Sequence, residues 1–281
     1  MIKKGDMVVR KSYGKDIIFK VVRIIKSNNS QFAILKGVTI RIEADAPIAD
    51  LEIAQKQRIE NSMRNLENKL ENRIKKCEKN QSKCISVINK DFFKRNREII
   101  LTGKILHLDG DKKYSEKSQR YYKKMGLNAI VKNISERKQP IVVKTLLQRY
   151  KPDILVITGH DGMIRKGSGY NDIYNYRNSR YFINTVKEAR KWEREESNLV
   201  IFAGACQSFF EALIMAGANF ASSPERILID FIDPLIVAEK VATTETNKFI
   251  TIKDIEYELR DGTAGIGGTG ANGKKKIILL E

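Results

Sequence analysis

The chain has 281 residues, 42% of them hydrophobic, enough to build one large or two small globular domains with a real core. Its 52 Lys and Arg against 34 Asp and Glu give a formal charge of +18, which attracts polyanions; spread along the whole chain, the same charge equally fits a well-solvated surface, so nucleic acid stays open as a partner. No apolar run approaches a membrane span, the start Met1-Ile2-Lys3-Lys4 lacks the apolar core of a signal peptide, and cysteines at 77, 84 and 206 have neither disulfide nor zinc spacing, so a cytoplasmic protein with no membrane partner, metal or cofactor is expected.

Residues 1–48 alternate in the strand manner at 7–9, 17–22, 32–35 and 38–42, with turns at Tyr13-Gly14-Lys15-Asp16 and Ser27-Asn28-Asn29-Ser30. This reads as a small β-barrel. Gly5-Asp6-Met7-Val8-Val9-Arg10 resembles the opening of SH3-like barrels, which bind nucleic acid or peptides; a docking module or a plain folding unit fits as well.

Residues 49–97 form a second unit. From Asp50 to Asn96 there is no Gly or Pro, and Ile59, Met63, Leu66, Leu70, Ile74, Cys77, Cys84 and Ile88 recur at helical spacing. A long amphipathic helix or helical pair follows, with Cys77 and Cys84 on its apolar seam. It could be a spacer, a clamp on the next domain, or an arm through which the chain self-associates.

The third unit, 98–281, alternates strand and helix. Strands are expected at 104–108, 129–134, 154–157, 199–202, 218–221 and 227–232, and helices at 115–125, 140–150, 179–194 and 209–215, which specifies an α/β domain with a doubly wound sheet. The glycine-rich stretch from Gly268 to Lys274 has the spacing of a phosphate loop, but Lys275 stands where Ser or Thr should be and no helix follows; it reads as a mobile loop.

Two apolar blocks of this domain end on reactive residues. Ile154-Leu155-Val156-Ile157 runs through Thr158-Gly159 into His160-Asp161-Gly162, and Leu199-Val200-Ile201-Phe202 runs through Ala203-Gly204-Ala205 into Cys206. Buried parallel strands read as such blocks and present ligands at their carboxyl ends, which brings His160 and Cys206 to one edge. Taken singly, a Cys after a strand is ordinarily a small core residue and a His a loop residue. Together they are the minimum equipment for a thiolate nucleophile and its acid/base partner. The other histidine, His107, lies inside a strand-like run.

These blocks resemble those of the caspase-like cysteine peptidases. Over nearly the whole chain, Gly5 to Val22, Leu35-Lys36-Gly37 to Ala46-Pro47, Thr158 to Gly162, Ala203 to Ser208 and Ala221-Ser222-Ser223-Pro224-Glu225 resemble the YabG family of sporulation-specific peptidases. The resemblance implies a caspase-like catalytic domain and a cysteine endopeptidase cleaving after basic residues, with spore coat or cortex-related proteins as substrates. It implies Cys206 as nucleophile, His160 as acid/base, and an oxyanion hole from the N–H groups of Cys206 and Gly162. The broader group has Gly directly after the histidine; here Asp161 intervenes, read as a surface turn residue or, alternatively, as a group orienting His160. An acidic residue at the end of the first strand pairs with substrate arginine in Arg-cleaving members, which points to Asp109, with Asp111, Asp230 and Asp233 as rivals. Ser222 and Ser223 would line the pocket and bind substrate backbone. The competing readings are a nucleic-acid-binding protein and a coat scaffold, both without catalysis.

Overall fold

The computed structural model describes residues 1–27, 30–87, 97–164 and 169–280. The first unit is a five-stranded antiparallel sheet of β1 (Met7–Arg10), β2 (Ile18–Ser27), β3 (Ser30–Gly37), β4 (Glu43–Pro47) and β5 (Leu51–Ile53), in the order β4-β3-β2-β1-β5. Val8, Phe19, Val21, Ala33, Leu35 and Ala46 form its buried side, as the period-two pattern requires. The strand expected at 38–42 is instead the loop of the β3–β4 hairpin, closed by the Gly37 N–H donating to Ile42 O at 2.8 Å. Ile40 and Ile42 join the core shared with the third unit, whereas Val38 packs against Val9, Ile18 and Ala54 of the first.

Helix α1 (Lys56–Val87) follows. Leu66, Leu70 and Ile74 are buried in the same core as Tyr114, Tyr121 and Tyr122 of the third unit. Lys69 pairs with Asp230 at 2.9 Å, and Arg73 reaches Glu239 at 3.3 Å and also Glu258. As far as Ile74, then, the apolar face is used within the chain, as a clamp. Ile88 and the side chains of Cys77 and Cys84 lie outside the described residues.

The third unit contains β6 (Arg97–Leu101), β7 (Ile105–Asp109), α2 (Lys112–Lys124), β8 (Ala129–Asn133), α3 (Gln139–Tyr150), β9 (Ile154–Thr158), α4 (Ser179–Trp192), β10 (Val200–Ala203), α5 (Phe210–Met215), β11 (Phe220–Ser222), α6 (Asp233–Thr243), β12 (Phe249–Ile250), α7 (Gly262–Gly265), β13 (Ile266–Gly268), β14 (Ala271–Asn272) and β15 (Lys276–Leu280). Its main sheet has the order β13-β11-β10-β9-β7-β8, with β13 antiparallel and the other five parallel. Alternate side chains divide between the faces. Ile105, Ile154, Val156, Val200 and Phe202 pack with α2, α6 and α1 residues, whereas Leu106, Leu108, Leu155, Ile157 and Ile201 pack with Val143, Leu147, Phe182, Val186 and Leu213 of α3, α4 and α5. Parallel strands covered on both faces explain the unbroken apolar blocks.

Several expectations are corrected. The helix expected at 115–125 starts three residues earlier, where Asp111 caps α2 by accepting from the Lys113 and Tyr114 N–H groups at 2.8 and 3.2 Å. Residues 227–232 are irregular, and α6 was not foreseen. The glycine-rich stretch is built into the fold: Ile266–Gly268 is the edge strand β13, Ala271–Asn272 pairs with β12, and β15 pairs with β6. Among the described residues, no helix is long and apolar enough to cross a membrane.

Leu70 tests the clamp, because its side chain is fully buried between α1 and the third unit. Leu70→Ala should cost about 2–5 kcal/mol in denaturant unfolding, with loss of third-unit structure moving to lower denaturant in step. An α1 that were only a spacer would leave that transition where it is.

Candidate active site

The register of the parallel strands assembles the site. Asp109, last residue of β7, pairs with Thr158, last residue of β9, and β9 lies beside β10 with Ile157 opposite Ala203. His160 therefore emerges two residues past the end of β9 and Cys206 three past the end of β10, at the carboxyl edge of neighbouring strands. All three are fully buried.

Cys206 sits on a tight turn, with Gly204 at φ +115° and Gln207 at φ +55°. A side chain on Gly204 would meet Ser222 Oγ at 2.3 Å. The turn is held from below: Ser222 Oγ donates to Ala205 O at 2.9 Å, and Ser223 Oγ accepts from the Gln207 N–H at 2.9 Å. Both serines are fully buried. In this arrangement both hydroxyls are engaged within the Cys206 turn. The thiol lies 3.7 Å from Ile229 O. Burial pushes it up to about 12, opposed by the Ile229 and Arg41 backbone and the Arg41 charge, so it is neutral in this arrangement.

His160 Nε2 is 3.3 Å from Gly37 O. A carbonyl only accepts, so Nε2 carries the proton and Nδ1, which has no partner, keeps its lone pair. Burial, then Lys36, lower the imidazole's affinity for a second proton, against opposing effects of Asp111 and Glu136. The His160 main-chain N–H donates to Glu136 Oε1 at 2.8 Å, and Gly159 lies so close that a Cβ there would be 2.6 Å from the same oxygen. Among the described residues, no hydrogen bond joins His160 to Cys206.

Asp109 is the end of a directional chain. The Tyr122 hydroxyl lies 3.2 Å from His107 Nδ1, His107 Nε2 lies 2.7 Å from Thr158 Oγ1, and Thr158 Oγ1 donates to Asp109 Oδ2 at 3.1 Å. His107 stays neutral because burial and then Arg41 hold its pKa well down. The Asp111 N–H donates to Asp109 Oδ1 at 2.8 Å, and Arg41 Nη1 reaches Oδ2 at 2.7 Å. The Arg41 guanidinium also lies 4.5 Å from the centre of the Tyr114 ring. The rivals are engaged elsewhere: Asp111 caps α2, Asp230 pairs with Lys69, and Asp233 accepts from the Asp230 and Arg260 N–H groups. No group of three or more His, Cys, Asp or Glu that could hold a metal occurs among the described residues.

A family model described as YabG peptidase U57 matches residues 3–279. The chain belongs to this peptidase family. It is 39% identical over 280 residues, 97% of this chain and 96% of the relative, to the sporulation-specific protease YabG of Bacillus subtilis (strain 168). No solved structure matches.

In this peptidase Asp161 is the residue that the sequence most understated. It is fully buried, not a surface turn. Its Oδ1 accepts from the Gly162 and Asn178 N–H groups at 2.9 and 2.8 Å, and its Oδ2 from the hydroxyls of Ser208, at 2.8 Å, and Ser179. Ser208 Oγ in turn accepts from the Ala205 N–H, and Ser179 Oγ from the Phe209 N–H. One carboxylate therefore ties the His160 loop, the start of α4 and the Cys206 turn together. It also occupies the Gly162 N–H, which in this arrangement is not free for an oxyanion, whereas among the described residues the Cys206 N–H meets no acceptor.

Burial pushes the Asp161 carboxyl up to about 6 against those four hydrogen bonds. The folded chain thus holds this proton more tightly than the unfolded one; the favourable contribution is full below about pH 4 and is lost as pH rises through 6. Asp161→Asn should remove that part of the pH dependence of stability. It should also destabilise by about 1–3 kcal/mol, since the amide oxygen can accept from only two of the four donors while its NH2 faces the other two, and lower kcat by about a hundredfold through misplaced loops. Denaturant titrations at pH 4 to 8 and peptide kinetics check both.

Proposed function

We propose that the chain is a cysteine endopeptidase that cleaves after arginine and acts on spore coat or cortex-related proteins in the mother cell of a sporulating bacterium. The observation that carries the reading is a carboxylate, Asp109, held by the Thr158 hydroxyl and the Asp111 N–H beside an aromatic face and pairing with a guanidinium, at the strand edge that also bears His160 and Cys206. A carboxylate oriented in this way suits the planar fork of arginine better than a lysine ammonium. The sporulation role rests on the name of the bacterial relative, and the fold proposed is the caspase-like one, whose two catalytic loops follow adjacent parallel strands.

In the mechanism, Cys206 gives its proton to neutral His160 and the thiolate attacks the scissile carbonyl, and the oxyanion forms against the Cys206 N–H. Gly162 joins as second donor once its N–H leaves Asp161. His160 protonates the departing amine, and water then hydrolyses the thioester, returning the thiol. The helix after Cys206, α5, has a dipole whose positive end favours the thiolate by roughly 0.3–1 kcal/mol. Asp161 acts as a positioning residue. The partners are protein substrates.

Cys206→Ala and His160→Ala should each abolish peptide cleavage, with the double variant no worse than either, because members of one unit are non-additive. Substantial turnover by Cys206→Ala would sink the mechanism. Asp109→Asn keeps the shape and loses the charge, removing about 1.5–3 kcal/mol, or roughly ten- to hundredfold in kcat/KM on arginine peptides. Rates on matched Arg, Lys and citrulline peptides decide it: an unchanged Arg-to-citrulline preference would move the pocket elsewhere.

A further inference from the structure

The arginine that Asp109 holds belongs to the chain itself. Arg41 sits in the β3–β4 hairpin loop of the first sheet, and its side chain is fully buried in the third unit. Its Nε and Nη2 find no protein acceptor, so the socket grips it through Nη1 and the Tyr114 face alone. The loop's main chain is docked just as closely. Gly37 O takes the His160 Nε2 proton, the Asp161 N–H donates to Arg41 O at 3.2 Å, and the Glu43 N–H donates to Asp161 O at 2.7 Å, so Ile42 forms a parallel bridge with Asp161. A Cβ on Gly162 would stand 2.2 Å from Glu43 O. At the margin, Lys36 spans Glu136 and Glu43 at 3.3 and 3.7 Å, Asn178 Nδ2 donates to Glu43 Oε2 at 3.2 Å, and Arg177 pairs with Asp45.

We propose that the β3–β4 loop is an internal inhibitor, that residues 37–43 cover the peptide-binding cleft with Arg41 in the specificity socket, and that a substrate arginine enters only after this loop has left. The proposal rests on the peptidase reading above and adds its regulation. A buried ionic pair of this kind is well suited to a latch: it contributes little net stability when whole, yet losing either partner strands the other charge and strongly disfavours the closed state. Addition of a loop to an exposed sheet edge through main-chain hydrogen bonds is also a recognised way for one polypeptide to occupy another's binding groove. The neutral thiol and neutral imidazole fit a closed, resting state. Opening returns water to the cleft and removes the burial that suppresses ionisation.

The test compares native, Arg41→Ala and Asp109→Asn chains for the rate at which iodoacetamide alkylates Cys206, read by mass mapping, and for cleavage of short arginine peptides. Arg41→Ala should alkylate about tenfold faster or more and cleave arginine peptides with a lower KM. Asp109→Asn breaks the same latch from the other side, so its Cys206 should also react faster while its arginine cleavage falls. A merely structural pair would not produce that opposed result. Since either variant could be poorly folded, the native chain supplies an independent measurement: millimolar arginine amide should raise hydrogen exchange of residues 38–43, and citrulline amide should not. Native-like Cys206 reactivity in both variants, folded by circular dichroism, overturns the proposal, as does exchange equally indifferent to both amides. Faster alkylation in Arg41→Ala without peptide cleavage by any chain would uphold the occluding loop and refute the peptidase pocket.

Discussion

A single buried carboxylate, Asp161, carries the geometry of the His160 and Cys206 loops. Parallel register brings the ends of β9 and β10 to one edge, but a loop leaving a strand end is free to turn in many directions. Here four donors from three segments converge on two oxygens, and two of them, Ser179 and Ser208, relay the anchor to the Phe209 and Ala205 amides. Because each hydroxyl accepts from a main-chain N–H, each must donate to Asp161, and the polarity of the network has only one solution. A buried network satisfied in this way specifies one arrangement of its loops, and the loss of any member leaves a desolvated group unpaired.

Charge in the interior is handled by the same economy. Asp109 and Arg41 have no exposed surface, and the desolvation of two ions is repaid only by close geometry and further hydrogen bonds. The chain from Tyr122 through His107 and Thr158 provides these on the acidic side. On the basic side the guanidinium has one ionic contact and one aromatic face, less than its five donors can use. The acidic side of the pair is therefore held by more contacts than the basic side.

The apolar blocks at 154–157 and 199–202 were legible because strands covered on both faces carry no polar side, and the helices at 140–150 and 179–194 because their apolar spacing is helical. Helix α6 was not, since Leu235, Ile236, Val237 and Ala238 are buried all round and show no period. Residues 38–42 have the alternation of a strand, but Ile40 and Ile42 join a core shared with the third unit, which a local pattern cannot reveal. Asp161 has the appearance of a turn residue, as Asp between His and Gly usually would; only its distant partners Asn178, Ser179 and Ser208 make it a hub. Glu136 and Lys36 gave no signal, being ordinary surface types whose meaning comes from the His160 loop beside their ion pair.

Readable from the residues alone are the α/β alternation, the His160 and Cys206 pair at one sheet edge and the acid at the end of the first strand, because each depends on patterns within ten or so residues. The open first sheet, the hydrogen-bonded support beneath Cys206, and above all the pairing of Arg41 with Asp109 across 68 positions come from the folded chain. Long-range ion pairs obey no local periodicity. Fifty-two cations are spread over the sequence, and only the docking of the first sheet on the strand edge selects the one that fills the socket.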